Sequence, residues 1–186
     1  MPQVTTPKQL FKHELQDMYY AEKTLATTLP KLAQEATDPE LTRAFTAHQK
    51  ETEKHVSNLE KVFKQIGASA QAHPCPGIEG IKKEHDDFMK ENSPSDAMRD
   101  AFLTGAAARA EHYEIAAYTG LVNQARALGE PEAVVLLQAN LKQEKEALKK
   151  VETISKRLLK DSNGSNGSSQ RRSATSRSRA KPAASK

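Results

Sequence analysis

The stretch His48-Gln-Lys-Glu-Thr-Glu-Lys-His55 gathers groups able to hold a metal ion or move a proton, His48, Glu51 and His55, on what reads as the inward side of a long helix. Such positions ordinarily carry apolar side chains. Three other apolar stripes are interrupted in the same way. Glu22 falls among Phe11, Leu15, Met18, Leu25, Leu29 and Leu32, and Glu144 among Val134, Leu137, Leu141, Leu148, Val151, Ser155 and Leu158. Glu111 falls among Thr104, Ala108, Ile115, Tyr118, Val122 and Ala125, with Glu114 one turn further on an adjoining edge.

A single glutamate in an apolar stripe is ordinarily an edge residue that keeps its carboxylate in water or in an ion pair. Four at matching heights are another matter. Glu22, Glu51, Glu111 and Glu144 would share one dry layer, where repulsion and desolvation force protonation unless cations intervene. Two divalent cations would balance the charge, with two of the glutamates bridging. Oxygen ligands with a minority of imidazole suit iron or manganese. His48 is the first candidate for an imidazole ligand, and Glu114 is a further carboxylate within reach. His55, Tyr20 and Tyr118 are candidates for hydrogen bonds to the ligands, although core packing is the ordinary role of a buried tyrosine, Tyr113 included. His13, His73, His85 and His112 read as surface or loop residues, and Cys75 as a reduced, solvated loop thiol.

Convergence requires helices of particular length and order, and the punctuation supplies them. Thr6-Pro7-Lys8-Gln9 is a capping box with proline at the first helical position, and Asp38-Pro39 and Ser93-Pro94 repeat the pairing of cap and proline. Gly67 and Gly129 sit where chains leave helices in a left-handed turn. The expected long helices cover 6–36, 39–67, 94–128 and 131–160, with a short one near 77–91, and Pro30 is expected to kink the first or end it early. Short links make the first pair and the last pair antiparallel, while the connection from 68 to 93 is long enough to cross a helix. The expected class is therefore all-α: a ferritin-like four-helix bundle with a long crossover between its second and third long helices.

The formal charge of +4 is uneven, because residues 161–186 hold six basic side chains and one acid, leaving residues 1–160 at −1. That segment is rich in Gly, Ser and Asn and then in Arg and Lys, with no large apolar side chain, so it is expected to be a disordered tail on a single domain, 1–160. Arg171, Arg172, Arg177, Arg179 and Lys181 are its candidate contacts to nucleic acid. No apolar run approaches the roughly 20 residues that span a bilayer, and the first residues lack the apolar core of a signal peptide, so a cytoplasmic protein without membrane contact is expected. There is no phosphate-cradling glycine loop, nucleophile elbow or cysteine cluster, which leaves nucleotide-binding, hydrolase and zinc-finger readings unsupported.

The segments "FKHELQDMYYAEKTL", "FTAHQKETEKHVSNLEKVF", "CPGIEGIKKE", "AAARAEHYEIAAY", "ARALG" and "LLQANLKQEKEALKKV", in that order over about residues 6–160, resemble the YciE/YciF family of ferritin-like proteins, a family long described only as a domain of unknown function. The resemblance implies a ferritin-like bundle, commonly a dimer, acting in bacterial stress responses and linked to ferroxidase chemistry. Ferritin-like di-iron sites combine single glutamates with two Glu-x-x-His motifs. Here the order is reversed in His48-x-x-Glu51, His55 stands one position too far along, and Ala147 stands where a histidine would follow Glu144. The leading expectation is a di-metal carboxylate protein that oxidises Fe(II). The competing one is a non-enzymatic stress or scaffold protein whose buried acids form ion pairs while its tail binds nucleic acid.

Overall fold

In the computed structural model, which describes the backbone of residues 4–176 and side chains through residue 163, five helices and no strand are found. They are α1 (Pro7–Glu35), α2 (Pro39–Gln65), α3 (Pro76–Glu91), α4 (Asp96–Ala127) and α5 (Pro131–Ser176). The caps act as their residue types dictate. Gln9 N–H donates to Thr6 Oγ1 while Gln9 Oε1 accepts from Thr6 N–H, and the Asp38 carboxylate accepts from the amides of Glu40 and Leu41. Gly67 and Gly129 take φ of +70° and +72°, where any side chain would be strained.

Two boundaries differ from the sequence reading, and Pro30 does not end the first helix early. α1 runs through Pro30 to Glu35 without ending, although proline deprives the Ala26 carbonyl of its usual donor. α4 starts at Asp96 rather than 94, capped by Ser95 without a side-chain bond. α5 continues to Ser176, past the end expected at 160. Arg171 and Arg172 lie in the part of α5 whose side chains are not described, and Arg177, Arg179 and Lys181 lie outside the described residues. No helix among the described residues is long and apolar enough to cross a membrane.

α1 packs on α2, α2 on α5, α5 on α4 and α4 back on α1, closing a ring of four long helices, with α3 laid against α4. Two apolar clusters fill the ring. One holds Phe11, Leu15, Met18, Leu59, Val62, Phe63, Leu121 and Leu137; the other holds Leu29, Leu32, Leu41, Phe45, Leu103, Val151, Ile154 and Leu158. Along α1 and α4 the two clusters appear in opposite orders to α2 and α5, respectively, as antiparallel neighbours demand. Between them, on every long helix, lie the buried polar residues Glu22, His48, Thr52, His55, Glu111, Glu114 and Glu144. Each buried Leu or Phe contributes about 1.5–3 kcal/mol, so the dry clusters on either side can sustain a costly polar layer between them.

Three polar anchors hold the periphery, and none was visible as such in the sequence. Asp100 on α4, 2% exposed, accepts from the amides of Thr37 and Asp38 and from the Thr37 hydroxyl, tying the turn between α1 and α2 to the third wall of the ring. Cys75 is buried rather than solvated: its Sγ lies 2.8 Å from Tyr113 Oη, and it packs as a small apolar group at the start of α3. Gly77 permits this approach, since a Cβ there would come within 2.5 Å of the Tyr113 ring. His85 is likewise no surface residue. It lies on α3, buried, with Nε2 2.9 Å from Glu35 Oε2, and so fastens α3 to the end of α1.

Candidate metal centre

Glu22, Glu111, Glu114 and Glu144 are all at most 3% exposed and come from three helices of the ring; α2 contributes His48 and His55. His48 and His55 stand two turns apart on one face, with ring centroids 6.4 Å apart. Two groups of potential ligand atoms form, each within a span of 4.8 Å: His48, Glu111, Glu114 and Glu144 make one, and Glu22, His55 and Glu144 the other. Glu144 belongs to both. The spacing of α5 leaves it midway between them.

The two imidazoles are aimed by bonds at their far nitrogens. His48 Nδ1 lies 3.1 Å from Glu51 Oε2, which directs Nε2 toward Glu111 Oε1 at 3.2 Å and Glu144 Oε2 at 3.4 Å. His55 Nε2 lies 3.0 Å from Gln143 Oε1, an acceptor, so Nε2 carries a proton and Nδ1 faces Glu144 Oε1 at 2.8 Å and Glu22 Oε1 at 3.2 Å. A carboxylate or amide behind each imidazole is the arrangement that fixes the tautomer of metal-binding histidines.

The inner contacts are short but poorly directed. His55 Nδ1 makes no contact of hydrogen-bond geometry despite its two near oxygens, and six buried carboxylate oxygens have no hydrogen-bond partner: Glu22 Oε2, Glu111 Oε2, both of Glu114 and both of Glu144. Buried polar atoms are nearly always satisfied. Distance alone would name ion pairs here, but the contacts fall short of hydrogen-bond geometry, and hydrogen-bond strength falls steeply with misalignment. The donor set of hard oxygens and two imidazoles fits iron or manganese.

Proton affinities in the layer are shifted together. Burial, and then the charges of Glu144, Glu22 and Glu111, hold the Glu114 carboxyl well above its ordinary range, and burial likewise raises Glu22 and Glu144. Burial works against charge on the imidazoles too, but Glu111 and Glu51 outweigh it at His48, and Glu144 and Glu22 outweigh it at His55, which is held up at about 10. Tyr118, kept protonated by burial and by Glu22, donates to Glu22 Oε1; Asn140 Nδ2 donates to Tyr118 Oη at 2.9 Å, and Asn58 Nδ2 to Asn140 Oδ1 at 2.8 Å.

The residues picked out in the sequence thus divide. Glu22, His48, Glu111, Glu114 and Glu144 come together. His55, 0% exposed, lies deeper than His48 at 7%. Glu51 is half exposed and belongs to neither group, serving as the partner of His48 Nδ1, which draws its carboxyl below the ordinary range. Tyr20 faces away, bonded to Glu79. Asn58, Asn140 and Gln143 were missed; their one signal was their position within a turn of His55 or Glu144.

Two openings meet the layer. Between α1, α3 and α4 lies a mainly apolar cavity of about 40 Å³, walled by Leu25, Leu29, Ile78, Ile81 and Ala107, with His48, Glu111 and Glu114 at its floor. It exceeds the roughly 10–15 Å³ that one water needs. Between α2 and α5 a larger space of about 200 Å³ passes Glu51, Glu146 and Lys150 to reach His48 and Glu111.

A closed ring of helices around buried glutamates and imidazoles defines a helical-bundle protein whose core groups are able to hold a metal ion. The chain belongs to the DUF892 family, described as a domain of unknown function, which matches residues 6–163. It is 36% identical over 141 residues to Protein YciF of Escherichia coli (strain K12), covering 75% of this chain and 84% of that one. The solved structure of the E. coli stress protein YciF superposes with a TM-score of 0.80 at 32% identity, over 84% of this chain and 99% of that one. YcfI of Rhodopseudomonas palustris does so with 0.78 at 37% identity, over 81% and 95%.

Proposed function

We propose that this chain is a ferritin-like protein that holds two divalent cations, iron or manganese, in its glutamate layer and, with iron, acts as a ferroxidase in a stress response. The observation that carries the reading is the set of six buried carboxylate oxygens without hydrogen-bond partners, around two imidazoles aimed inward from behind. Glu144 is the shared ligand; His48, Glu111 and Glu114 complete one position, Glu22 and His55 the other. A bound pair of iron ions supplies electrons to dioxygen or peroxide. The protein's part is to orient: Glu51 and Gln143 fix the imidazole tautomers, Tyr118 fixes Glu22, and the apolar clusters exclude bulk water. Glu114, held as a neutral acid, and the two imidazoles must give up protons to become ligands. The stress role rests on the description of E. coli YciF as a stress protein.

Protein produced without chelator is expected to carry close to two cations per chain by elemental analysis, and the stripped protein to gain thermal stability when Fe(II) or Mn(II) is restored. Oxidation of added Fe(II) should outpace that in buffer. No bound metal and no thermal shift would end this reading.

A second reading has its own support. The imidazoles supply positive charge when protonated, so the layer can stand without cations, and the R. palustris relative is provisionally described as a structural protein. In that reading the protein is a non-enzymatic scaffold whose basic C-terminal segment binds nucleic acid. Under either reading the molecule is a homodimer, the commonest assembly of soluble chains. Light scattering at micromolar concentration checks the dimer, which a monomer mass would refute, and a low-salt gel shift with and without residues 161–186 checks the segment, where equal shifts would remove it from consideration.

A further inference from the structure

We infer that His13, Asp17 and His73 form a second metal site, on the surface and separate from the glutamate layer, which takes one borderline divalent cation such as zinc, copper(II) or nickel and clips the crossover to α1. His13 and Asp17 are four residues apart on α1 and therefore share a face. His73 comes from the extended segment before α3, and its amide donates to the Gln16 carbonyl at 3.3 Å, which sets its ring beside that face. His73 Nδ1 lies 3.2 Å from Asp17 Oδ1, and His13 Nε2 lies 3.7 Å from Asp17 Oδ2. The two imidazoles meet edge to face with centroids 5.6 Å apart, and one ligand atom from each of the three residues falls within 4.8 Å of the others.

The chemistry differs from that of the buried layer. Two imidazoles and one carboxylate are softer than a set of glutamates, so the site selects zinc, copper or nickel over manganese. Three protein ligands leave at least one position to water, as suits the side-chain exposures of 42% for His13, 25% for Asp17 and 59% for His73. Here the Asp17 carboxylate does alone what a cation would do better: it holds together two rings that otherwise have no reason to approach. The site is small but well placed. The segment it fastens leads two residues later to Cys75, the N-cap of α3, whose Ile78 and Ile81 wall the cavity above the glutamates. A cation here would order that wall.

Zinc titration calorimetry of the full chain, wild type against His73→Gln and His13→Gln, tests the site. The wild type should bind one more zinc per chain than either variant, or bind it at least about tenfold more tightly, a typical effect of disturbing a metal site. Hydrogen exchange of residues 68–75 should slow on adding zinc in the wild type alone. Both variants keep every residue of the glutamate layer, so failure of that layer to bind zinc changes all three proteins equally and leaves the difference intact. Equal zinc binding in all three would overturn the inference. So would loss in His13→Gln with His73→Gln unchanged, which reduces the site to a His–Asp pair on one helix.

Discussion

Replacing Glu144 with glutamine should empty both cation positions, whereas replacing Glu114 with glutamine should empty one. Glu144 is the sole residue common to the two groups of ligand atoms, while Glu114 joins only the group around His48. Each change keeps side-chain shape and removes the carboxylate that a bound cation would need. Affinity at a position that loses its charged ligand should fall by about 100-fold or more, beyond the loss expected from disturbing an outer partner. Elemental analysis after dialysis against micromolar Mn(II) would then read close to two, one and zero cations per chain for wild type, E114Q and E144Q. The metal-free proteins should separate differently. Glu114 has no hydrogen-bond partner and is held neutral, so its amide replacement should change stability less than E144Q does. E144Q leaves His55 with Glu22 alone and should cost about 1–3 kcal/mol. An E144Q protein that retains both cations would remove the shared-ligand geometry.

The second large effect is a pair of opposed pH dependences. His48 and His55 bind protons more tightly in the fold than in the unfolded chain, so their stabilisation is complete below about pH 6.5 and is lost as pH rises toward the folded value, about 10 for His55. The raised carboxyls act in the same direction. Glu22, Glu114 and Glu144 retain protons in the fold that the unfolded chain releases above its ordinary carboxylate range, which again removes stability as pH rises. Metal-free protein should therefore melt at a lower temperature at about pH 8.5 than at about pH 6. Cations compete with those same protons, so the rise in melting temperature on adding Mn(II) should be small at the lower pH and large at the higher. Scanning fluorimetry at both pH values, with and without Mn(II), gives the four numbers. A metal-free melting temperature that climbs across this interval would contradict the proton affinities deduced for the layer.

Both expectations depend on residues whose placement was partly legible in the sequence. Helix number, the short links and the inward glutamates followed from caps, prolines and apolar spacing, because these are local signals that tertiary packing seldom overrides. The apolar pattern misled where the core itself is polar. On α5 it pointed to Leu141, Leu148 and Ser155, whereas the buried residues are one position earlier, Asn140, Ala147 and Ile154. Asn140 carries no apolar signature, and its bonds to Asn58, Tyr118 and the His55 carbonyl explain its burial. Glu51 looked like a ligand because it shares a face with His48 and His55, but a three-residue step from His48 points it toward the rim and solvent. Asp100, Cys75 and His85 answer to partners 38 to 63 residues away in sequence, a separation at which no helical periodicity informs.

The two groups of candidate ligands are not equivalent in access, and this would bear on how fast each fills and empties with a cation. Both openings end at His48 and Glu111, and neither touches Glu22, His55 or Glu144. An ion arriving from either side meets the position of His48 first. The residues of the deeper group, Glu22, His55 and Glu144, are all 0% exposed and line neither opening. If the layer holds two cations as proposed, loading should be ordered, the inner position filling by way of the outer. Release should run in reverse. An outer ion would exchange with solution first and an inner one would wait for it to leave, so a chelator should strip the loaded protein in two phases of very different rate.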